Sequence, residues 1–195
     1  MTKVWPVTLV HGGVSLRPIK LSDARHWQEL RRLNQDWLQE WEATAPLPQL
    51  EPAPTFRQMI RKLLHEAKQG RCLPFVVEYQ GEFCGQLTVS DITYGSQRGC
   101  HFGYWIDQDY SGLGIMTTSA ALVTEHLFNV ALLHRVEVAV RPENEPSNRL
   151  VQRLGFRLEG VRKHFLHINN AWRDHNIYAM TAEDHTESLI NRLKS

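Results

Sequence analysis

Two glycines stand one residue apart in the segment Tyr110-Ser111-Gly112-Leu113-Gly114-Ile115-Met116-Thr117, directly before a long amphipathic helical pattern. The preceding run, His101-Phe102-Gly103-Tyr104-Trp105-Ile106, is typical of a β-strand. Glycine lets the backbone approach a ligand closely, and the free N–H groups of a helix's first turn point out of its end. A strand, a glycine loop and a helix N-terminus in this order predict an anion site, and a phosphorylated cofactor is the leading candidate.

Two common nucleotide-binding motifs do not fit this segment. A Rossmann site requires G-x-G-x-x-G within a βαβ unit, and the third glycine position is here Thr117. A Walker loop requires Gly-Lys-Ser/Thr, which the segment lacks. By itself the glycine pair is equally compatible with a tight turn.

The bulk composition is that of a globular domain with a real core. The 195 residues are 42% apolar and 22% charged, and the formal net charge is +1. We therefore expect no nucleic-acid partner, and no apolar run approaches the roughly 18 residues of a membrane span. Three cysteines without C-x-x-C spacing predict reduced thiols in a cytoplasmic protein, with neither a disulfide nor a metal site.

Hydrophobic periodicity predicts one α+β domain over residues 1–195. A first helix is expected to begin with Ser22 as its N-cap and to carry Trp27, Leu30, Trp37 and Trp41 on one face. A proline-rich loop at 44–54 should follow it. Strands are predicted at 14–19, 73–79, 82–90, 98–106, 134–140, 157–166 and 172–180, and further helices at 56–67, 116–127, 146–154 and 182–195.

A second informative segment runs Val140-Arg141-Pro142-Glu143-Asn144-Glu145-Pro146-Ser147-Asn148. It ends a strand and opens a helix, where Pro146 suits the first turn because its missing N–H costs little. Asn144 and Ser147 place polar side chains near the sheet edge that carries the glycine loop. Alone, they are also compatible with simple helix capping.

Together the two segments resemble the GCN5-related N-acetyltransferase (GNAT) superfamily. In that family a Q/R-x-x-G-x-G/A loop at a splayed strand binds the pyrophosphate of acetyl-coenzyme A. The corresponding loop here is Ser111-Gly112-Leu113-Gly114-Ile115-Met116. Gly114 matches the family pattern, Ser111 replaces the usual Arg or Gln, and Met116 replaces the usual small residue.

The family's second signature is matched by Asn144-x-x-Ser147 with Leu154-Gly155-Phe156. Ala171-Trp172-Arg173-Asp174-x-x-x-Tyr178 and Asn34-x-x-Trp37-Leu38-x-x-Trp41-Glu42 are similar to the RimJ/RimL-like branch, whose members acetylate alanine or serine at ribosomal-protein N-termini. The resemblance covers nearly the whole chain. It implies a mixed, mostly antiparallel, twisted sheet of about seven strands, flanked by helices and splayed at the cofactor site.

The resemblance also implies which residues hold acetyl-CoA, with coenzyme A as the product and no metal. The phosphates are expected on the loop residues Ser111, Gly112, Leu113, Gly114, Ile115, Met116 and Thr117. The pantetheine arm is expected along Tyr104, Trp105 and Ile106, with Asn144 and Ser147 beside it. A backbone N–H near Trp105 or Ile106 is expected to donate to the thioester oxygen.

Catalytic roles follow from the same resemblance. Ser147 is the first candidate for the acid that protonates the leaving thiolate, Tyr178 the second and Tyr104 the third. Glu42 is the leading candidate base, with His101, His164 and His167 as alternatives. A protein α-amine has a pKa of about 7.7–8.0, against about 10.4 for lysine, so an N-terminal acceptor needs little help from a base.

We therefore expect acetyl transfer to a primary amine, most simply the N-terminal α-amine of a ribosomal or other protein, by direct attack in a ternary complex. Two alternatives stay open. The acceptor can be a small amine such as an aminoglycoside, a polyamine or an amino acid. The chain can also be a non-catalytic acyl-CoA-binding module, since Ser111 removes one phosphate-facing side chain. Edge strands near the C-terminus suggest a homodimer, and no membrane partner is expected.

Overall fold

A computed structural model describes residues 3–46 and 54–193. Within these ranges eight strands form a single sheet. Most of the predicted proline-rich loop lies outside the described residues. The strands are β1 Leu9–His11, β2 Val14–Pro18, β3 Leu73–Tyr79, β4 Glu82–Ser90, β5 Gly99–Ile106, β6 Arg135–Val140, β7 Arg157–Ile168 and β8 Ala171–Thr181.

Helices lie on both faces of the sheet. Three of them begin at side-chain caps, because Thr55, Asn144 and Ser188 each accept a backbone N–H of the first turn. Two short 3₁₀ turns cover Leu21–Asp23 and Gln108–Tyr110. The α-helices are α1 Ala24–Leu33, α2 Gln35–Gln39, α3 Phe56–Lys68, α4 Ile115–Asn129, α5 Glu145–Arg153 and α6 Leu189–Arg192.

The strand order is β1-β2-β3-β4-β5-β6-β8-β7, and every neighbouring pair is antiparallel except β5 and β6. The expected mixed, mostly antiparallel α+β sheet is confirmed. The additional strand is β1, which pairs with β2 through a tight turn at Gly12 and Gly13. Three residues are too few to give a periodic signal, so the sequence did not predict it.

The sheet splits where β5 meets β6. The two strands pair only at Gly99↔Arg135, Cys100↔Val136 and His101↔Glu137. Beyond His101, β5 continues along β4 as far as Ile106, while β6 continues along β8. The gap that opens between them is the splay that the family resemblance implies, and its position fixes where a ligand can enter the sheet.

Apolar side chains pack on both faces of the sheet. Phe75 and Val77 belong to a large cluster with α4 and α5, whereas Val76 belongs to a smaller cluster with α1 and α3. This alternation is the period of two that a strand covered on both sides requires. Cys72, Cys84 and Cys100 are buried free thiols, and burial raises the pKa of each.

The first predicted helix is wrong in its extent. Asp23, rather than Ser22, organises its start, because the Asp23 carboxylate accepts the N–H of Lys20 at 2.7 Å. The helix then breaks at Asn34, whose side chain donates to the carbonyl of Leu30 at 3.0 Å and so competes with the helical backbone. Trp41 lies in a turn beyond α2, not on the same helical face as Trp27.

The predicted C-terminal helix over 182–195 is also wrong over most of its length. The backbone and side chain of Thr181 donate to the Asp184 carboxylate, both at 2.9 Å, and this holds a turn instead of starting a helix. Ser188 caps the short α6, and residues 194–195 lie outside the described part. Within residues 3–46 and 54–193, no helix combines the length and apolar character that crossing a membrane requires.

Candidate active site

A cleft of about 970 Å³ passes through the gap between β5 and β6. Its first end is formed by the glycine loop and α5, its middle by Tyr104, Trp105 and Ile106, and its second end by α1, α2 and the turn after α2. All residues predicted for the cofactor line this cleft except Leu113, which is 62% exposed. Glu42 lines the second end, whereas Tyr178 is not among the lining residues.

The glycine loop leaves backbone N–H groups and open space at the first end. Gly112 and Gly114 both have φ of +76°, in the left-handed region that side-chain-bearing residues rarely adopt. A Cβ added at either position would meet nothing within 4 Å. Gly114 is the N-cap of α4 and offers no side chain to the first-turn N–H groups. These donors and the helix dipole together suit a phosphate.

The splayed part of β5 turns Ile106 toward the gap. The N–H of Asp107 donates to the carbonyl of Cys84 on β4 at 2.8 Å. Since backbone groups of successive strand residues alternate in direction, the N–H and C=O of Ile106 face away from β4, and those of Trp105 face toward it. Of the two donors expected from the sequence, the Ile106 N–H is therefore the one that faces the gap.

The carbonyl of Ile106 is already satisfied. The indole Nε1–H of Trp37 donates to it at 3.2 Å, so α2 is held against the end of β5. Asn34 ties the same region from the other side, because its Oδ1 accepts the N–H of Gln108 at 2.8 Å. The break between α1 and α2 thus positions both the middle and the second end of the cleft.

Tyr104 places a buried hydroxyl beside Ser147. Burial raises the pKa of Tyr104 to about 12, and the neighbouring Ser147 hydroxyl opposes part of that rise. The Tyr104 oxygen nevertheless makes no hydrogen bond of normal geometry within the described residues. The two hydroxyls are therefore neighbours, and one polar atom in the cleft lacks a full partner. Such an atom is costly unless a ligand satisfies it.

Tyr178 does not line the cleft, and its hydroxyl already has hydrogen-bond partners. Its ring is 2% exposed, and its hydroxyl donates to Asn148 at 2.9 Å and accepts from Gln152 at 3.1 Å. Asn148 in turn donates to the carbonyls of Arg141 and Asn144, at 3.0 and 2.8 Å. This network fixes the start of α5 and so the position of Ser147. Asn148 was not predicted, because a helical asparagine is usually a surface residue.

The second end combines aromatic and charged side chains. The Arg31 guanidinium lies 5.6 Å from the ring centre of Trp27 and 5.3 Å from that of Trp105. It also forms an ion pair with Glu42, the predicted base. Asp36 and Glu40 line the cleft nearby, so this end is predominantly anionic. Arg31 was not predicted from the sequence, because its partner lies beyond the helix break.

The segment after α2, which carries Glu42, is held by contacts with two other elements. Arg141, at the end of β6, donates to the carbonyl of Glu40 at 2.8 Å and lies 5.0 Å from the ring centre of Trp41. On the other side, the N–H of Asn169 donates to the carbonyl of Glu42 at 2.9 Å. The second end is therefore held by the β6 terminus and by the β7–β8 turn together.

The three alternative histidine bases do not line the cleft. His167 Nδ1 lies 2.8 Å from the hydroxyl of Thr44, and His101 lies 3.6 Å from the carboxylate of Asp91. His164 is exposed on β7. Among the described residues, no group of three or more His, Cys, Asp or Glu side chains is arranged to hold a metal ion.

Comparison with known proteins gives concordant matches. The family model for the acetyltransferase (GNAT) domain matches residues 14–157. Mycobacterium smegmatis RimJ, solved in complex with CoA-disulfide, is 38% identical with a TM-score of 0.91, over 100% of this chain and 96% of that chain. The spermidine N(1)-acetyltransferase of Escherichia coli (strain K12) is 30% identical over 83% of this chain and 82% of its own length.

A further relative is the ribosomal protein uS5-alanine N-acetyltransferase of Escherichia coli (strain K12), 34% identical over 105 residues. That match covers 54% of this chain and 54% of the relative, and the chain spans about half the length of the first curated relatives that it matches. The chain belongs to the GNAT acetyltransferase family, in its RimJ/RimL-like branch.

Proposed function

We propose that the protein is an N-acetyltransferase that moves an acetyl group from acetyl-CoA to the N-terminal α-amine of a protein, such as a ribosomal protein. The observation that carries this proposal is the cleft through the splayed sheet, which joins a phosphate-type loop to an anionic second end. The RimJ relative solved with CoA-disulfide and the uS5-alanine N-acetyltransferase relative support both the cofactor and the acceptor class.

The residues at the first end fit coenzyme A. The α4 first-turn N–H groups and the open space at Gly112 and Gly114 suit its phosphates. Met116 and Ile115 are buried and present the start of α4 to the cleft, while Asn144 holds the start of α5. When bound, acetyl-CoA supplies the acetyl group as a reactive thioester. The loss of a cationic or amide side chain at Ser111 leaves the backbone as the loop's main source of donors.

The middle of the cleft provides polarisation and a proton. The Ile106 N–H can donate to a carbonyl oxygen placed in the gap, and one such donor typically contributes about 2.7–4 kcal/mol to a transition state. Ser147 and Tyr104 present neighbouring hydroxyls from α5 and β5, so either can donate a proton to a leaving sulfur. Tyr178 serves this pair indirectly, by fixing Asn148 and hence α5.

The second end receives the amine. Glu42 supplies a carboxylate that Arg31 holds in place, and Asp36 and Glu40 add negative charge that attracts an ammonium group. Because an α-amine is already partly neutral near pH 7.5, Glu42 needs only to accept a proton directly or through water.

A small polyamine is the second candidate acceptor. The anionic second end suits a polycation as well as an α-ammonium group, and the spermidine N(1)-acetyltransferase relative supports this alternative. A peptide and a polyamine differ in the chain attached to the reactive amine. A peptide continues as a neutral backbone, whereas spermidine continues as an alkyl chain with further positive charges.

The test is acetylation by the intact protein with acetyl-CoA, measured as release of the free CoA thiol. Acceptors are peptides that begin with alanine or serine, the same peptides with a blocked N-terminus, and spermidine. We expect thiol release with the free peptides and none with the blocked ones. Turnover with spermidine but not with peptides would show that the acceptor is a polyamine instead of a protein N-terminus. Binding of acetyl-CoA without turnover on any amine would leave an acyl-CoA-binding module.

The remaining expectations concern the protein's surroundings. A cytoplasmic location is supported by three buried free thiols, which persist in a reducing compartment. A homodimer through the β7 edge is supported by the exposed apolar side chains of Leu158 and Val161, although the register shifts in β7 discourage simple edge pairing. Light scattering on the purified protein distinguishes a dimer from a monomer.

A further inference from the structure

The glycine loop carries no cationic side chain, although the ligand proposed for it carries several negative charges. Residues 110–117 contain neither Lys, Arg nor His. The partial positive charge of a helix N-terminus amounts to about half an elementary charge, far less than the charge of a pyrophosphate and a phosphomonoester together. Additional positive charge must therefore come from another element of the cleft.

Among the described residues that line the cleft, the cationic side chains are Arg31, Arg149 and Arg153. Arg31 lies at the second end and is held by Glu42 and two tryptophan rings. Arg149 and Arg153 lie one helical turn apart on α5, so they share one face of that helix. That face borders the same end of the cleft as the glycine loop.

Both arginines are available to a ligand. Arg149 pairs with Glu145 at 3.0 Å, but the side chains are 68% and 77% exposed, so water screens the pair and little is lost when it opens. Arg153 donates to the carbonyl of Leu193 at a long 3.4 Å. Neither guanidinium is fixed by burial, so each can turn toward a charge placed in the cleft.

We propose that Arg149 and Arg153 bind a phosphate group of coenzyme A and supply the positive charge that the glycine loop lacks. This inference rests on the proposed function. A guanidinium binds phosphate oxygens through paired N–H donors, which gives it both charge and geometry. The phosphate can be the monophosphate on the ribose or the pyrophosphate, and the test separates these two sources.

The experiment measures the affinity of the intact protein for CoA, for dephospho-CoA and for pantetheine, which has no phosphate, by calorimetry or competition. The variants are Arg149→Ala, Arg153→Ala and the double variant. Arg57→Ala on α3, an exposed arginine that does not line the cleft, is the matched control. We expect the double variant to lose about tenfold or more in CoA affinity and to become less sensitive to salt, with pantetheine binding unchanged.

The dephospho-CoA arm identifies the phosphate. If the double variant binds dephospho-CoA as well as the parent does, the arginines hold the ribose monophosphate. If the loss is the same for CoA and dephospho-CoA, they hold the pyrophosphate. The inference is overturned if the double variant keeps CoA affinity within about twofold of the parent, or if pantetheine binding falls equally. A parent protein that binds no CoA would instead overturn the proposed function.

Discussion

The backbone geometry of Gly114 in the glycine loop indicates what this residue does. Gly114 adopts a φ of +76° and has open space where its Cβ would stand. A side chain at this position meets no protein atom, so its main cost to the fold is backbone strain, about 1–3 kcal/mol. The same side chain would occupy the space that we assign to a phosphate.

We expect Gly114→Val to abolish measurable acetyl-CoA binding while the protein still folds. Gly81→Val is the matched control, because Gly81 also has a positive φ, +90°, and open space around its Cβ, but lies in the β3–β4 turn. Calorimetric affinities and melting temperatures of both variants make the comparison. If Gly114→Val keeps the acetyl-CoA affinity of the parent and melts at a temperature similar to that of Gly81→Val, the phosphate does not bind at this loop.

Substitutions at Ser147 and Tyr178 test which of the two residues donates a proton and which one only positions α5. We expect Ser147→Ala to lower turnover by about 10²-fold, with little change in acetyl-CoA affinity, because a general acid acts only in the chemical step. Tyr178→Phe removes bonds to Asn148 and Gln152, and should cost about 1 kcal/mol of stability. Its effect on turnover should be much the smaller. Equal turnover of Ser147→Ala and the parent would leave Ser147 as a helix residue only.

Among the elements, the segment after α2 depends on β6 for its position. Arg141 is buried between the carbonyl of Glu40 and the ring of Trp41. We expect Arg141→Met to raise the KM for an acceptor peptide about tenfold and to leave acetyl-CoA affinity unchanged, because the second end loses its tie while the glycine loop does not. Arg162→Met, which removes an arginine from the ring of Phe165 on exposed β7, is the control. If the two variants have equal effects, Arg141 does not hold the second end of the cleft in place.

A buried histidine on α4 makes the stability of the folded protein depend on pH. His126 is 5% exposed, its Nε2 lies 2.9 Å from the carbonyl of Val4, and burial lowers the pKa of His126 from 6.5. The unfolded chain therefore takes up this proton at a higher pH than the folded protein does. The contribution of His126 to stability is fully present well above pH 6.5 and is lost as the pH falls through 6.5 and below. Melting curves from pH 8 to about pH 5 test this, and His126→Gln should flatten the dependence.

The same elements mark how far the sequence could predict the structure. The strand-like runs of β3 and β4 and the capped start of α5 were predicted within one residue, because strand-forming runs and local caps act within a few positions. The break at Asn34 was missed because its side chain makes two hydrogen bonds at once, donating to the carbonyl of Leu30 and accepting the N–H of Gln108, and Gln108 is remote in sequence. The turn at Thr181–Asp184 was missed because a capping threonine serves a turn as readily as a helix.

At the scale of the whole molecule, the site could be predicted where the chain itself is contiguous. The glycine loop, β5 and the Asn144–Ser147 segment came from local patterns, and all three line the cleft. Arg31, Arg141 and Arg153 were not predicted, because their roles depend on which elements the sheet brings together. The single parallel junction of the sheet is what assembles them, and a sequence pattern does not encode such a junction.

That junction also sets how the molecule should behave as a cooperative unit. Only three residue pairs join β5 to β6, so the sheet consists of two antiparallel halves with a weak backbone seam. We expect hydrogen exchange to distinguish β1–β5 from β6–β8, with slower exchange across both halves once acetyl-CoA bridges the gap. Uniform protection of the whole sheet without ligand would contradict this. If the two halves do differ, the opening that admits the cofactor is also where the protein unfolds first, and a bound cofactor joins the two halves of the sheet.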